Sequence, residues 1–374
     1  MDNKKSIFAC ITEGKLLPIL LSVVLAFAVG AVFLAVMGLD VVASYGRLLA
    51  SVTGVKGFSY VVVYSIPYIM TGLSVAFSFT TGIFNIGAEG QFVVGSMAAA
   101  VVGILCGNLP KAVLVPMCFL AAMLAGFLWG MPVALLKTKR GINEVLSMIM
   151  FNWIAFYLSN FIAGIPAIHS EGSEEATRNI SENARTLLPG SFIKAAGLCS
   201  TANWGILVAV AFTVAVWIVI EKTVLGYQLK AVGYNRFSAA YAGIEVNRSV
   251  LAAIGISGAI AGLGGALQLM GMGGRISVFT GQEGYGFAGI VVALMGGSHP
   301  FGVLLAGLFY AALIYGGSKL NLVGVPTQLV NVIVGTVVYF IAISGAFTWL
   351  KERRKRAGAR RAGAADGRGE ETAV

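Results

Sequence analysis

Long apolar stretches separated by short polar ones make up most of this chain, and that alternation limits what it can fold into. A helix of roughly 20 apolar residues crosses a bilayer core about 30 Å thick. Nine stretches of that kind are expected: Leu17–Met37, Phe58–Phe79, Glu89–Gly107, Ala112–Leu136, Val145–Gly164, Trp204–Ile220, Ser249–Gly271, Phe301–Gly317 and Pro326–Trp349. A tenth, Gly286–Gly297, is too brief for an ordinary span. Only 11% of the 374 residues are charged and 57% are hydrophobic, whereas a soluble domain carries roughly 25% charge. A soluble chain would have nowhere to bury that much apolar surface. The expected fold is an all-α integral membrane protein of about ten transmembrane helices (8–10). A polytopic domain over 17–349 is flanked by an N-terminal segment 1–16 and a basic tail 350–374. Lys4, Lys5 and Lys15 precede the first apolar run, but that run exceeds the roughly 7–15 residues of a signal-peptide core. It reads as a retained helix.

The cations give an orientation, because Lys and Arg beside span ends resist translocation. With the N-terminus inside, ten spans put both termini in the cytoplasm. The inner side then holds Lys4, Lys5, Lys15, the 137–140 cluster, Lys222, Lys230, Arg236, Arg248 and the tail, 18 of the 26 Lys and Arg. The net charge of +10 is thus a topology signal, and no nucleic-acid partner is expected.

Cofactor chemistry is sparse. Cys10, Cys106, Cys118 and Cys199 form no C-x-x-C pair, and His169 and His299 sit apart in loops, so no metal site is expected. Neither a G-x-x-x-x-G-K-[ST] loop nor a full G-x-G-x-x-G is present. If ATP drives this protein, another subunit supplies the nucleotide site.

Glycine within the spans says more. Gly103/Gly107, Gly126/Gly130 and Gly258/Gly262 are G-x-x-x-G pairs, which let helix backbones approach closely in lipid. Polar groups at membrane depth are rarer. TTGIFNIGAEGQ, Thr80–Gln91, breaks an apolar run with Asn85, Glu89 and Gln91. Two readings stand for Glu89: a carboxylate at a functional break in the pathway, or one placed at a helix N-terminus where the dipole favours it. Gly141–Glu144 reads as a helix start. Asn152 and Gln268 are uncharged polar groups within spans. With Asn85, Glu89 and Gln91 they form the candidate substrate pathway, rich in hydrogen-bonding groups and poor in fixed charge, as a neutral polar solute requires.

Two loops stand apart. The outer one, 165–203, is long and polar. The inner one, 221–248, carries Tyr227, Leu229 and Val232 at roughly helical spacing, punctuated by Gly226, Gly233 and Gly243; Gly226, Tyr227, Leu229, Val232, Gly233 and Tyr234 are its candidate contact residues. It reads either as an amphipathic helix lying on lipid or as a helix docked in a groove of a soluble partner.

Several motifs, in order, resemble one family. They are Phe84–Gln91 (FNIGAEGQ) with Gly95-Ser96, Gly141–Glu144 with Met148–Asn152, the LGYQLKAVGYNRFSAAYAGI stretch, and Gly284–Pro300 (GYGFAGIVVALMGGSHP). The chain is similar, from about Tyr64 to Ile343, to permease subunits of bacterial ATP-binding-cassette importers. Within the ribose/branched-chain amino-acid superfamily it resembles the nucleoside and simple-sugar branch. The resemblance implies a non-enzymatic transport subunit in the bacterial cell (inner) membrane. Its expected partners are a homologous second permease, a cytoplasmic ATPase carrying ATP and magnesium, and an external substrate-binding protein, often a lipoprotein. It also implies that 221–248 is the ATPase-coupling loop. The alternative is an ion-coupled secondary transporter or channel acting alone, although Glu89 has no cation placed in the apolar stretches to pair it.

Overall fold

The computed structural model describes residues 16–172, 175–326, 328–337 and 339–340. The N-terminal segment, the basic tail and the second half of the last expected span lie outside them. Among the described residues the secondary structure is helical, with isolated bridges and no strand. Seven helices are long and apolar enough to cross a membrane. They are α3 (Gly54–Phe79), α4 (Ala88–Leu105), α5 (Lys111–Arg140), α6 (Glu144–Ala163), α8 (Gly205–Lys222), α11 (Val246–Gln268, extended by a π-helical turn Leu269–Gly273) and α13 (Pro300–Ser318). Apolar pieces of 10–17 residues occur within α1 (Leu16–Val36) and as α2 (Val41–Val52), α12 (Tyr285–Met295) and α14 (Gln328–Val337). Short helices α7 (Gly190–Ala195), α9 (Val224–Tyr234) and α10 (Arg236–Tyr241) lie in the two long loops. The sequence reading did not anticipate α2.

The chain divides into two compact units, one over 48–319 and one joining 1–47 to 320–374. In the smaller unit the Tyr45 hydroxyl donates to the Phe27 carbonyl at 2.7 Å, and the two rings meet edge-on. The larger unit holds all seven spans.

Local sequence explains the ends of these helices. α5 stops at Gly141, whose φ of +67° only glycine adopts without strain. The N–H groups of Gly141 and Ile142 then bond back to the carbonyls of Lys137 and Leu136 at 3.1 and 3.3 Å, closing the last turn. Two residues on, the Asn143 side chain accepts from the Val145 and Leu146 N–H groups at 2.9 and 3.4 Å and starts α6. Lys137 pairs with Glu144 across the turn. The expected helix start at Gly141–Glu144 is therefore the tight connection of two spans.

α3 is buried on every side from Ser65 to Ser78, so that part is central to its unit. α11 crosses α4 and α5 where both partners lack side chains. A Cβ at Gly126 would collide with the Gly258 carbonyl, one at Gly262 with the Ala122 carbonyl, and one at Gly95 with Gly262 itself. Two of the three G-x-x-x-G pairs thus face one another across a single seam. The third, Gly103/Gly107, packs instead on the 165–203 loop through Ile180 and Ser181. The Ser181 hydroxyl donates to the Gly107 carbonyl at 2.9 Å.

That loop is well packed. It lends backbone partners to the segment after α11: Thr177 N to Ile276 O at 2.8 Å, Val278 N to Glu175 O at 2.7 Å and Ile180 N to Gly274 O at 2.8 Å. Asn160 in α6 holds Phe279 through both its amide atoms at 2.9 Å.

The seam yields a prediction. Gly258→Val inserts methyl groups where two backbones touch, and overpacking of this kind costs about 1–3 kcal/mol or more. The melting temperature in detergent should drop by several degrees, whereas Gly281→Ala, with open space around it, should leave it unchanged.

Candidate functional site

Glu89 occupies the centre of the larger unit. It is 1% exposed, and its two carboxylate oxygens accept from the N–H groups of Gly284 (2.7 Å) and Gly286 (2.6 Å). These are unpaired donors at the start of α12. Glu89 also lies in the first turn of its own helix, α4. One carboxylate therefore serves two helix N-termini, each with a positive dipole end. Only glycine fits at 286, because a Cβ there would enter the Ala88–Glu89 backbone.

The two helices leave this junction in opposite directions. Tyr68 meets Tyr285 and Thr71 meets Gly289, so α12 runs parallel to α3. Ser74 meets Ser257 and Met70 meets Gly264, so α11 is antiparallel to α3. Gln91 meets Gly258 and Gly95 meets Gly262, so α4 follows α11. Glu89 thus stands in the first turn of α4, directly after the non-helical segment 80–87.

The other pathway candidates are mostly engaged in holding this junction. Asn85 and Gln91 are 0% and 2% exposed. The Asn85 amide donates to Gln91 Oε1 at 3.0 Å and to the Ser257 hydroxyl, with Ser74 completing the group. Asn152 reaches from α6 to both sides of the break. Its Oδ1 accepts from Gly90 N at 2.9 Å and its Nδ2 donates to Ile86 O at 3.0 Å. Backbone that leaves a helix at this depth needs such partners. Gln268 lies elsewhere, donating to the Tyr285 hydroxyl at 3.0 Å, while its Oε1 is buried with no partner among the described residues. The structure thus joins Asn85, Glu89, Gln91 and Asn152 around one break, and sets Gln268 across from them on the far side of Tyr285.

Around Tyr285 is a feature that the sequence reading missed. Tyr60, Tyr64 and Tyr68 recur every four residues on one face of α3. Tyr60 stacks on Tyr315 with ring centroids 5.0 Å apart. Tyr68 meets Tyr310 edge-on at 4.9 Å and Tyr285 at 5.4 Å. The four-residue spacing was visible in the sequence; that α12 and α13 face it with further tyrosines was not.

The 221–248 loop folds as α9 and α10 with a sharp break at Asn235, whose side chain caps α10 through Phe237 N and Ser238 N at 2.9 and 3.1 Å. The structure divides the six coupling candidates. Leu229 and Val232 are 0% and 1% exposed, Gly226 is buried against α8, and Gly233 abuts the Thr80 carbonyl. Gly226, Leu229 and Val232 are thus covered by the chain itself, where α9 seats against its neighbours, while Gly233 stays exposed beside the end of α3. Tyr227 and Tyr234 point outward, joined by Phe237 and Tyr241, at 70%, 91%, 89% and 97% exposure. Beside Tyr234 a cavity of about 460 Å³ is lined by Phe79, Glu221, Lys230, Ser298 and His299. Lys230 pairs with Glu221 at 2.7 Å across it.

Residues 57–342 match the family model described as the permease component of the branched-chain amino acid transport system. The chain belongs to this permease family. Among similar proteins is the guanosine ABC transporter permease NupP of Bacillus subtilis, 35% identical over 346 residues, covering 91% of this chain and 97% of that one. The glucose ABC transporter permease TsgB13 of Haloferax volcanii is 35% identical over 353 residues, covering 93% and 91%. A second Bacillus subtilis guanosine permease, NupQ, is 28% identical over 253 residues, covering 66% and 77%. No solved structure gives a significant match. This permease is thus a multi-pass, helical membrane protein, similar over most of its length to permease subunits of ABC transporters.

The Glu89 junction is testable. Glu89→Gln keeps the shape, removes the charge and turns an N–H₂ group toward one of the two backbone donors. Hydrogen bonds to a charged group contribute about 1.5–3 kcal/mol, so the variant should lose about 2 kcal/mol of stability. A lower melting temperature in detergent would register it, with transport falling in parallel.

Proposed function

We propose that this permease forms the translocation pathway of an ATP-driven importer of nucleosides, in the bacterial cell membrane, together with a second, homologous permease. The observation that carries the substrate is the 35% identity to a guanosine permease over nine-tenths of both chains. The similarity to two guanosine permeases of one organism supports pairing with a second permease. A pathway built around Asn85, Gln91, Asn152 and Gln268 favours a neutral polar solute over an amino acid, whose charged ends demand counter-charges.

ATP and magnesium belong, in this reading, to a cytoplasmic ATPase. It docks on the α9–α10 aromatic face, where Tyr227, Tyr234, Phe237 and Tyr241 stand in the open. Both termini lie in the cytoplasm on this topology, in keeping with the cation count. An external binding protein delivers the nucleoside to the 165–203 side. A second reading, sugar import, is favoured by one observation, the equal identity to a glucose permease.

Competition separates the two. In cells expressing the complete transporter, excess unlabelled guanosine or adenosine should suppress uptake of labelled guanosine, and leucine should not. Uptake of labelled glucose or ribose, unaffected by nucleosides, would establish the sugar reading instead. Uptake by this chain alone, driven by an ion gradient, would overturn the importer.

The docking face makes its own prediction. Tyr234→Ala and Phe237→Ala remove exposed rings and should alter stability by less than about 0.5 kcal/mol. Co-purification of the ATPase should nonetheless fall at least fivefold, and transport with it.

A further inference from the structure

Six tyrosines in the larger unit form two ring clusters, Tyr60–Tyr64–Tyr315 and Tyr68–Tyr285–Tyr310, set one after the other as a strip along α3. Tyr60, Tyr64 and Tyr68 advance along α3 over about 12 Å at 1.5 Å per residue, and Tyr285, Tyr310 and Tyr315 face them from α12 and α13. The strip starts near the beginning of α3 and ends at Tyr68, 14 residues from the first residue of that 26-residue helix, beside the Glu89 junction. Tyrosine belts are common where a membrane meets water. A row that continues to the middle of a span is a different matter.

Buried tyrosine hydroxyls normally find a partner. Among the described residues only that of Tyr285 has one, the Gln268 amide. Four of the six rings are only half-buried. Two acceptors adjoin the inner end. Gln268 Oε1 is unpartnered among the described residues, and the exposed Glu283 immediately precedes Gly284, whose N–H donates to Glu89.

We propose that this tyrosine strip is the track along which the permease passes its substrate, binding the flat base of a nucleoside against tyrosine rings while Glu283 accepts hydrogen bonds from two adjacent donors on the same molecule. The proposal rests on the nucleoside reading given above and names the residues that carry it. Stacking suits a substrate that must move, since every base has a π-face and aromatic contact is tolerant of sequence and position. The hydroxyls along the strip offer hydrogen bonds to the ribose at successive steps. Glu283, held two residues from the α12 start that Glu89 caps, meets the molecule at the narrow end. The adjacent donors it would read are either the ribose 2′- and 3′-hydroxyls, common to all ribonucleosides, or the N1–H and N2–H₂ groups of guanine.

Photolabelling tests the site without any variant. Membranes holding the complete transporter are irradiated with 8-azidoadenosine or 8-azidoguanosine, and the labelled peptides are mapped. Label on 60–68, 283–285 or 310–315, displaced by unlabelled nucleoside, is expected. Displaceable label confined to other segments of this permease would overturn the proposal.

Uptake in cells gives the second measurement. Tyr64→Leu and Tyr68→Leu should lower guanosine and adenosine uptake at least tenfold, and Tyr64→Phe and Tyr68→Phe should retain at least half of it. ATPase co-purification reports that the Leu variants are folded. Nucleoside uptake at the normal rate in folded Leu variants would sink the track while leaving the importer reading intact. Import of free sugars only, by the unaltered protein, would sink both. Glu283→Gln distinguishes the donors: loss of both nucleosides marks the ribose diol, and loss of guanosine alone marks the base edge. No change in either would remove Glu283 from the site.

Discussion

One carboxylate holds the interior of this permease together. Backbone N–H groups cannot be left bare in hydrocarbon, yet α4 and α12 both begin inside the unit rather than at its ends. Glu89 resolves the conflict by accepting from Gly284 and Gly286. Its position dictates the surroundings. Residue 286 must be glycine, Asn152 must satisfy Gly90 and Ile86 on the other flank, and Tyr285 is fixed against Tyr68 and Phe92. A buried charge is tolerated here because two helix dipoles and two short hydrogen bonds replace its water.

The glycine seam complements that junction. In a bilayer, helix association gains little from hydrophobic burial and depends on close contact. Gly126, Gly258 and Gly262 permit that contact, so α4, α5 and α11 form a close-packed body against which α3 and α12 lie. Rings then cluster where backbones do not touch, and the six tyrosines occupy the space left over.

Much of this was legible in the sequence, for physical reasons. Apolar runs and cation placement are one-dimensional signals, and each expected span within the described residues contains a helix. Gly141 and Asn143 announce a turn by their backbone preferences alone. The partner of Glu89 was not legible, because it lies 195 positions away and is backbone rather than a side chain. Nor was the division within α9: helical spacing marked Tyr227, Leu229 and Val232 as one set, but only the packed chain shows which of them it covers itself. Asn85 and Gln91 were chosen as polar groups at depth, and the fold uses their polarity first on each other.

The 165–203 loop bonds through its backbone to residues 274–278, and that segment runs without a helical turn into Glu283 and Tyr285. The two are therefore mechanically linked. The ring beside Glu89 is thus tethered to the loop by a short run of backbone that contains no helix, so the placement of Tyr285 depends on how the loop is seated.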